Sequence, residues 1–470
     1  MLVRLIVLVA PILMLLPAQT PAPAGREDKV VTVHAQALPT PALAYALLPE
    51  INELRTGVVV QAYLKCFMEQ NNFYHNEKVL EERQAHLEMP LAELPKSLDK
   101  RYGGRMLRYA DEAARMTLLD WQATNDLRRD GMAALVPDLH VLRGLANALL
   151  LRARLELRDG DFHAALGTLK TLNAMTCHVQ QHPTLIGGLV GLAIGSQTCG
   201  VVREWQQLPE SPNLFWALQR AYPRLVDLRA AWEGERWFAL SDIKAALAPE
   251  SPMDVTQLPK FIEKYQIMIA MMSPRDGQEA ARLALAQVAN RSQNAQEIAR
   301  ARQRLKQTGI PPQQVDKLPP VQVVLLDELL RVEVLRDELL KWTSMPYWQA
   351  EAGLRAAMDQ VPKEDTSALL TALLPVVAKV RHSQIRLEQQ LVLLMHVEAL
   401  RHFAATNEGR WPARLDLIGL PLPCDPVNGQ PLKYTLEGDL AVLETTPLRP
   451  MPGITPVRLH HRWSVRLARP

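Results

Sequence analysis

Residues 151–172 read LRARLELRDGDFHAALGTLKTL and give the clearest local indication of the fold. Leucines at helical spacing lie on both sides of the segment Asp159-Gly160-Asp161. Gly160 suits the left-handed conformation that ends a helix, and the Asp161 side chain can accept hydrogen bonds from the free N–H groups of a following helix. The stretch therefore predicts two helices that form a helical hairpin.

Helical spacing continues in both directions from this hairpin, with apolar residues at every third or fourth position. The 35 prolines outnumber the 22 glycines, which favours helices separated by proline-marked turns over a β-sandwich with glycine-rich turns. We therefore predict a mostly α-helical protein in which solenoid-like helical hairpins precede long helices. The predicted helices span 42–70, 104–128, 138–158, 161–177, 183–204, 213–246, 321–360 and 366–408, the last broken or kinked at Pro375.

A chain of 470 residues exceeds the size at which one hydrophobic core keeps growing, so we expect more than one domain. The stretch QTGIPPQQVDKLPP is proline-rich and marks the best internal boundary. After Gly409, turn residues and alternating segments replace helical spacing. The predicted divisions are a signal peptide at 1–24, a spacer with a possible short strand at 25–41, a helical solenoid-like body at 42–306, a proline-rich linker at 307–320, a long-helix segment at 321–408 and a small α+β tail at 409–470.

The segment 184–202 contains no charged residue, and small residues recur on one face of its predicted helix. In a membrane such a face would let two helices pack closely. Polar residues within the segment and amphipathic helices on both sides favour a buried core helix instead. The small residues are Gly187, Gly191, Gly195 and Cys199.

The tail contains the turn formers Asp425-Pro426 and Asn428-Gly429 and then two short alternating segments. Residues 432–436 and 440–444 predict a β-hairpin whose first strand Pro431 restricts to a sheet edge. Residues 457–467 predict another strand with one apolar face and one basic face, which we interpret as a solvated edge strand. His460 and His461 would point to opposite sides of it, so they would not bind a metal together.

The first residues have the pattern of a secretory signal peptide. Arg4 precedes the apolar run Leu5–Leu16, which is too short to span a bilayer comfortably, and Ala22-Pro23-Ala24 follows as a cleavage site. We predict cleavage after Ala24 and an exported protein that is periplasmic, in the cell envelope or secreted. The alternative is an uncleaved anchor, whereas after cleavage no membrane contact is required.

Export would permit disulfides, but the sequence leaves the state of the four cysteines open. One pairing can be tested by distance, because the predicted helices place Cys177 and Cys199 roughly 25 Å apart at about 1.5 Å per residue. A disulfide requires Cα atoms within about 7 Å, so we exclude this bridge. The other cysteines are Cys66 and Cys424.

The formal net charge of +3 comes from mixed signs along the whole chain and forms no basic stripe. Nucleic acid is therefore not an expected partner. The chain also lacks the phosphate-binding, dinucleotide-binding, nucleophile-elbow, zinc-helix and calcium-loop motifs. We therefore assign no catalytic, cofactor-binding or metal-binding residue.

Two groups of polar residues have the side chains of a metal site or of an acid–base site. The segment Cys177-His178-Val179-Gln180-Gln181-His182 offers thiol and imidazole groups, but structural zinc requires four ligands in paired spacing, so we interpret it as a helix end. Asp327 with Arg331, and Asp337 with Lys341, have the spacing of exposed ion pairs within one helix. Nothing in that spacing requires a perturbed pKa.

Two functions remain open. The first is a non-catalytic interaction or scaffold protein of the cell envelope with a protein or peptide partner, since stacked helical hairpins present extended surfaces. The alternative is an envelope-associated hydrolase whose site is assembled from distant residues. Its candidate residues are polar side chains among apolar helices: His140, His163, His178 and Glu204.

Several stretches resemble known families. The hairpin resembles a tetratricopeptide unit in its small residues Ala153 and Ala164, although its period of about 34 residues does not recur clearly. The segments LVPDLHVLRGLANALLLRARLELRDGDFHAALGTL, HPTLIGGLVGLAI and KWTSMPYWQA resemble an uncharacterised family of exported bacterial proteins, a likeness that covers most of 39–349 and implies no activity. The tail at 399–439 resembles the globular end of type II secretion pseudopilins and implies a shared small fold.

Overall fold

The computed structural model describes residues 26–68, 71–99, 102–131, 137–254, 256–272, 277–360, 368–451 and 460–468. It has the predicted fold class, mostly α-helical with a small β-sheet module at the carboxyl end. The predicted signal peptide and the first part of the predicted strand at 457–467 lie outside the described residues.

The amino-terminal part combines short helices with three strands. The continuous helices predicted over 42–70 and 104–128 are wrong. Pro49 precedes a short 3-10 helix and a strand in the first range, and a strand interrupts the second. The elements are β1 Arg26–Val33, β2 Arg55–Val58, α1 Val59–Leu64, α2 Asn71–His75, α3 Glu77–Glu88, α4 Arg108–Ala113, β3 Met116–Leu118 and α5 Thr124–Asp130, with 3-10 helices at Ile51–Glu53, Lys65–Phe67, Leu91–Glu93 and Gly104–Leu107.

Helices then dominate up to residue 406. The helix predicted over 213–246 is three helices, separated near Leu228 and Leu240, and the Asp227 side chain accepts a hydrogen bond from the Arg229 N–H at the first separation. The helices are α6 Pro137–Arg158, α7 Phe162–Gln180, α8 Leu185–Gln206, α9 Phe215–Leu225, α10 Arg229–Phe238, α11 Ser241–Ala246, α12 Gln257–Met272, α13 Gly277–Gln293, α14 Ala295–Gln307, α15 Pro312–Lys317, α16 Pro320–Leu340, α17 Tyr347–Asp359 and α18 Ala368–Thr406.

Three predictions about the later helices meet a mixed outcome. The helix predicted over 321–360 is divided before Pro346, since the residue before a proline disfavours helical geometry. Helix α18 runs through Pro375 without a break, because one proline removes one hydrogen bond and the residues beyond it are buried. The proline-rich segment 307–320 itself contains α15, whose Val315 is buried.

The α6–α7 hairpin has the predicted geometry. Gly160 adopts the left-handed conformation with a φ of 73°, and the Asp161 carboxylate accepts a hydrogen bond of 3.0 Å from the Ala164 N–H. The two helices pack side by side, and α8 packs against both. The segment Asp159-Gly160-Asp161 therefore sets the turn between α6 and α7, the two helices against which α8 packs.

Helix α8 is long and apolar enough to span a membrane, a property that its length and composition alone establish among the described residues. Most of it is buried against α6, α7, α10 and α18. An added Cβ at Gly191 would lie 2.9 Å from the Gln180 backbone nitrogen, and one at Gly195 would lie 3.0 Å from the Leu387 side chain. The small residues therefore allow α7 and α18 to approach α8 closely, as in the predicted core helix.

The carboxyl-terminal module is a four-stranded sheet in the order β1-β6-β5-β4, formed with β4 Lys433–Glu437, β5 Leu440–Glu444 and β6 His460–Leu467. The predicted hairpin is confirmed, and β4 lies at the sheet edge as Pro431 indicates. A 3-10 helix at Leu415–Ile418 precedes it. The sheet packs on α18 through β6.

The interpretation of β6 as an edge strand is wrong, because β1 pairs with it in parallel along its other side. The strand that the sequence places in the spacer thus completes the sheet of the tail. The basic face of β6 is neutralised by the hairpin: Arg462 contacts the Glu437 carboxylate at 2.6 Å and His460 lies 3.7 Å from Glu444.

Replacing Gly191 by Ala tests the close approach of α7 and α8. The new methyl group would lie within 2.5 Å of Gln180 Cγ and would crowd backbone atoms, so we expect a loss of about 1–3 kcal/mol in the free energy of unfolding. Gly200→Ala in the same helix is the control, because no atom lies within 4 Å of its added methyl group. We expect it to be neutral or to gain up to about 1 kcal/mol in urea unfolding. Equal effects of the two changes would contradict this packing.

Candidate functional site

The four residues named for a non-local hydrolase site do not converge. His140 and His163 are exposed, near the beginnings of α6 and α7. His178 lies near the other end of α7, about 22 Å from His163 along the helix at about 1.5 Å per residue. No hydrogen bond or ion pair joins any two of the four within the described part of the chain.

The two partly buried members of the set have structural partners. His178 Nδ1 lies 3.1 Å from the Tyr63 hydroxyl, and burial lowers the pKa of the imidazole to about 4, so it is neutral at pH 7. Glu204 receives two hydrogen bonds, of 2.8 and 2.9 Å, from the Arg154 guanidinium. Arg154 also donates to the carbonyl groups of His86 and Leu87 at the end of α3 and of Met89 just after it, so this pair fastens α3 to α6 and α8.

The Cys177–His182 segment contains the end of α7, as the sequence interpretation predicts. The Cys177 thiol faces the Arg224 carbonyl at 3.5 Å, His178 faces Tyr63, and His182 Nδ1 lies 2.8 Å from the Thr184 hydroxyl. The three side chains thus contact different elements. Among the described residues no three histidine, cysteine or acidic side chains are grouped to hold a metal ion.

The cysteines are all free thiols, so the exclusion of a Cys177–Cys199 bridge is confirmed. Cys66, Cys177 and Cys199 are buried and Cys424 is exposed. Burial raises the pKa of the Cys66 thiol to about 12 and that of Cys177 to about 11, which leaves both protonated near neutral pH.

The interpretation of the acid pairs on α16 as exposed ion pairs within one helix is confirmed only in part: Asp327 pairs with Arg331 as expected, but it is buried, and the described partners of Asp337 and Lys341 are other residues. Asp327 is buried and receives two hydrogen bonds of 2.7 Å from Arg304 of α14, with Arg331 farther away at 3.5 Å. Asp337 pairs with Arg236 of α10, and Lys341 pairs with Glu338. The error arises because spacing within a helix does not reveal a cation supplied by another helix.

A group of charged and hydroxyl side chains lies where α4, α6 and α7 meet, and we call it the Arg152 network. Arg152 donates two hydrogen bonds to the Asp111 carboxylate, of 2.7 and 3.1 Å, and a third of 3.0 Å to the Thr168 hydroxyl. The Thr168 hydroxyl in turn donates to Glu156 at 2.7 Å, and Thr171 donates to Asp111 at 2.7 Å. These five residues form the Arg152 network.

The two carboxyl groups of this network have different environments. Asp111 is about one-third exposed, whereas the Glu156 side chain is 8% exposed. Burial raises the pKa of Glu156 to about 7, and the negative charge of Asp111 contributes to the rise. An ionised carboxylate next to a carboxyl that titrates near neutrality can support general acid catalysis, but here protein groups occupy both.

A second buried group centres on Glu398 and Arg401, whose side chains are fully inaccessible and 2.9 Å apart. Arg401 also donates to the His34 carbonyl at 3.0 Å and to the backbone and side-chain oxygens of Ser211, both at 2.7 Å. Glu398 accepts a hydrogen bond of 3.2 Å from Gln206. This pair joins the segment after β1 and the loop after α8 to α18.

One small internal cavity is lined by other residues than these two groups. A cavity of about 10 Å³ between α10, α16 and α18 has room for about one water molecule. It is lined by Glu235, Ala239, Leu240, Val332, Arg336, Leu374 and Val377 and contains none of the four hydrolase candidates.

Comparison with known proteins gives no family to which these groups can be assigned. The chain matches no protein-family model, no curated protein and no solved structure.

Replacing Arg401 by Met tests the buried pair. The change would leave the Glu398 carboxylate without its cation inside the protein, and we expect a loss of about 3–5 kcal/mol in the free energy of unfolding, measured with urea. Arg410→Met is the matched control, because Arg410 forms an exposed pair with Glu408. The role of the buried pair would be refuted by a loss no larger than that of the control.

Proposed function

We propose that the chain is an exported, non-catalytic protein of the cell envelope that binds a protein or peptide partner. The observation that carries this proposal is a pair of short parallel strands, β2 and β3, which we call the ribbon. Parallel strands occur almost only in sheets that are covered on both faces. The ribbon has two strands and half of its residues or more are exposed, so it lacks the cover that such pairing usually has.

Apolar side chains project to solvent around the ribbon. Ile51 in the 3-10 helix before β2 is 88% exposed, Leu54 next to β2 is 42% exposed, and Leu118 at the end of β3 is 52% exposed. Single exposed apolar residues are normal on protein surfaces, but three of them around one uncovered ribbon favour contact with another chain. Ribbon edges also offer backbone groups to which an extended segment can add.

The ribbon packs on the helical body. Helix α1 packs on both strands, and Arg115 between α4 and β3 contacts Glu53 at 3.4 Å. Lys170 of α7 also contacts Glu53, at 2.8 Å. These ion pairs tie the ribbon to the helical body, so a partner would meet a preformed surface. Little conformational entropy of the ribbon would then be lost on binding.

The hydrolase alternative has no specific observation in its favour. Of its four candidate residues, His140 and His163 are exposed, while His178 and Glu204 contact protein side chains on different elements. Export rests on the first 24 residues of the sequence, and the pseudopilin-like tail is consistent with an extracytoplasmic location. Export and the pseudopilin-like tail are both part of the proposal.

Affinity capture with a ribbon variant tests the function. The mature chain would be used as bait on envelope extracts of the organism that encodes it, beside the double variant Ile51→Thr with Leu118→Thr. We expect a reproducible partner with the unchanged chain and its loss with the variant, because threonine removes apolar surface at both positions and keeps strand propensity at Leu118 in β3.

Leu283→Gln is the control, because Leu283 is 53% exposed on α13, away from the ribbon. It should retain the partner, and thermal unfolding should show that both variants are folded. A partner that binds all three proteins equally would refute the ribbon as the binding surface. Repeated capture without any reproducible partner would count against the function itself.

A further inference from the structure

The Arg152 network contains a cation that lies between two competing carboxyl groups. Its guanidinium binds Asp111 through two hydrogen bonds, while Glu156 Oε1 lies 3.8 Å from Nε, just beyond hydrogen-bond distance. A movement of about 1 Å would bring this contact to the usual hydrogen-bond distance. The side chain of Arg152 is 12% exposed, so its interactions are little weakened by water.

We propose that the proton on Glu156 controls which carboxyl group holds Arg152, and thereby how firmly α4 is docked on the helical body. With Glu156 protonated, Arg152 is fully available to Asp111 and clamps α4. When Glu156 loses its proton, its negative charge competes for the same guanidinium, and α4 is held by fewer bonds. The proposal concerns the docking of α4 and does not depend on the ribbon binding a partner.

The charged groups that surround Glu156 agree with this direction. Asp111 on α4 and Asp161 at the start of α7 both disfavour its ionised form, while Arg152 on α6 favours it. Burial is the largest cause and raises the pKa to about 7 from 4.5. The carboxyl group is therefore neutral below about pH 7 and ionised above it.

The sign of the effect on stability follows from linkage. A carboxyl group whose pKa is higher in the folded state costs stability as it ionises. The fold gains the full benefit of neutral Glu156 below its usual pKa of 4.5 and loses it progressively as the pH rises to about 7. The local loosening of α4 takes place within the folded state, so it should follow the ionisation of Glu156 around pH 7.

Cys66 provides a reporter for α4. Its thiol is completely buried and contacts the backbone at Ala110, next to Asp111. Helix α4 and the Cys66 segment pack directly against each other. A looser α4 would expose this thiol to an alkylating reagent.

The experiment measures the alkylation rate of Cys66 by peptide mass spectrometry between pH 5.5 and 8.5 in the full chain and in Glu156→Gln. The intrinsic pH dependence of the thiol cancels in the ratio of the two rates. We expect a ratio near one at pH 5.5 that rises to roughly tenfold at pH 8.5 as Glu156 ionises. The control is Glu112→Gln on α4, where Glu112 forms a partly exposed pair with Arg108. This variant should behave like the unchanged chain.

A ratio that stays near one at every pH would overturn the proposal. If Glu156→Gln does not fold, the unchanged chain can be followed by NMR with labelled glutamate carboxyl carbons and arginine Nε nitrogens. We expect the Glu156 and Arg152 signals to titrate together near pH 7. Titration of Glu156 without a response of Arg152 would equally overturn the proposal.

Discussion

The fold depends on satisfying one cation, Arg401, that is completely removed from water. Its guanidinium has partners on α18 itself, on the segment after β1 and on the loop after α8. A buried charge is tolerable only when such partners are all in place, and removing one leaves an uncompensated charge inside the protein. The position of α18 is therefore coupled to residues that lie far apart in the chain.

From this point α18 organises the rest of the packing. It contacts α8, α9 and α16 along its length and supports β6 near its carboxyl end. The Asn213 side chain reinforces the same junction, because it donates to the Gln36 and Glu398 carbonyls at 3.1 and 2.8 Å. The close approach of α8 requires glycines, since a Cβ at Gly195 would meet Leu387 of α18 at 3.0 Å. The buried polar contacts of Arg401 and Asn213 and the close glycine packing of α8 thus both fix the position of α18.

Much of this architecture could be predicted because its causes are local. The α6–α7 hairpin follows from Gly160 and Asp161, which act within a few residues, and the β4–β5 hairpin follows from turn residues next to alternating segments. The pairing of β1 with β6 has no local cause, because a parallel pair has no connecting turn that a sequence pattern can reveal. The same limit applies to Asp327, whose cation comes from another helix, and to the Arg152 network, which gathers residues from three helices.

Glu27 in the sheet and Glu156 in the Arg152 network change the stability of the fold in opposite directions as the pH changes. The contact with His461 holds the pKa of Glu27 well below its usual range, so this contribution to the β1–β6 pairing is present above about pH 4.5 and is lost as the pH falls through the lowered value. Glu156 acts in the other direction, because its burial costs stability as the pH rises to about 7. Acid therefore weakens the β1–β6 pairing, and it also acts against the burial of neutral His178, whereas mild base weakens the α4–α6–α7 junction.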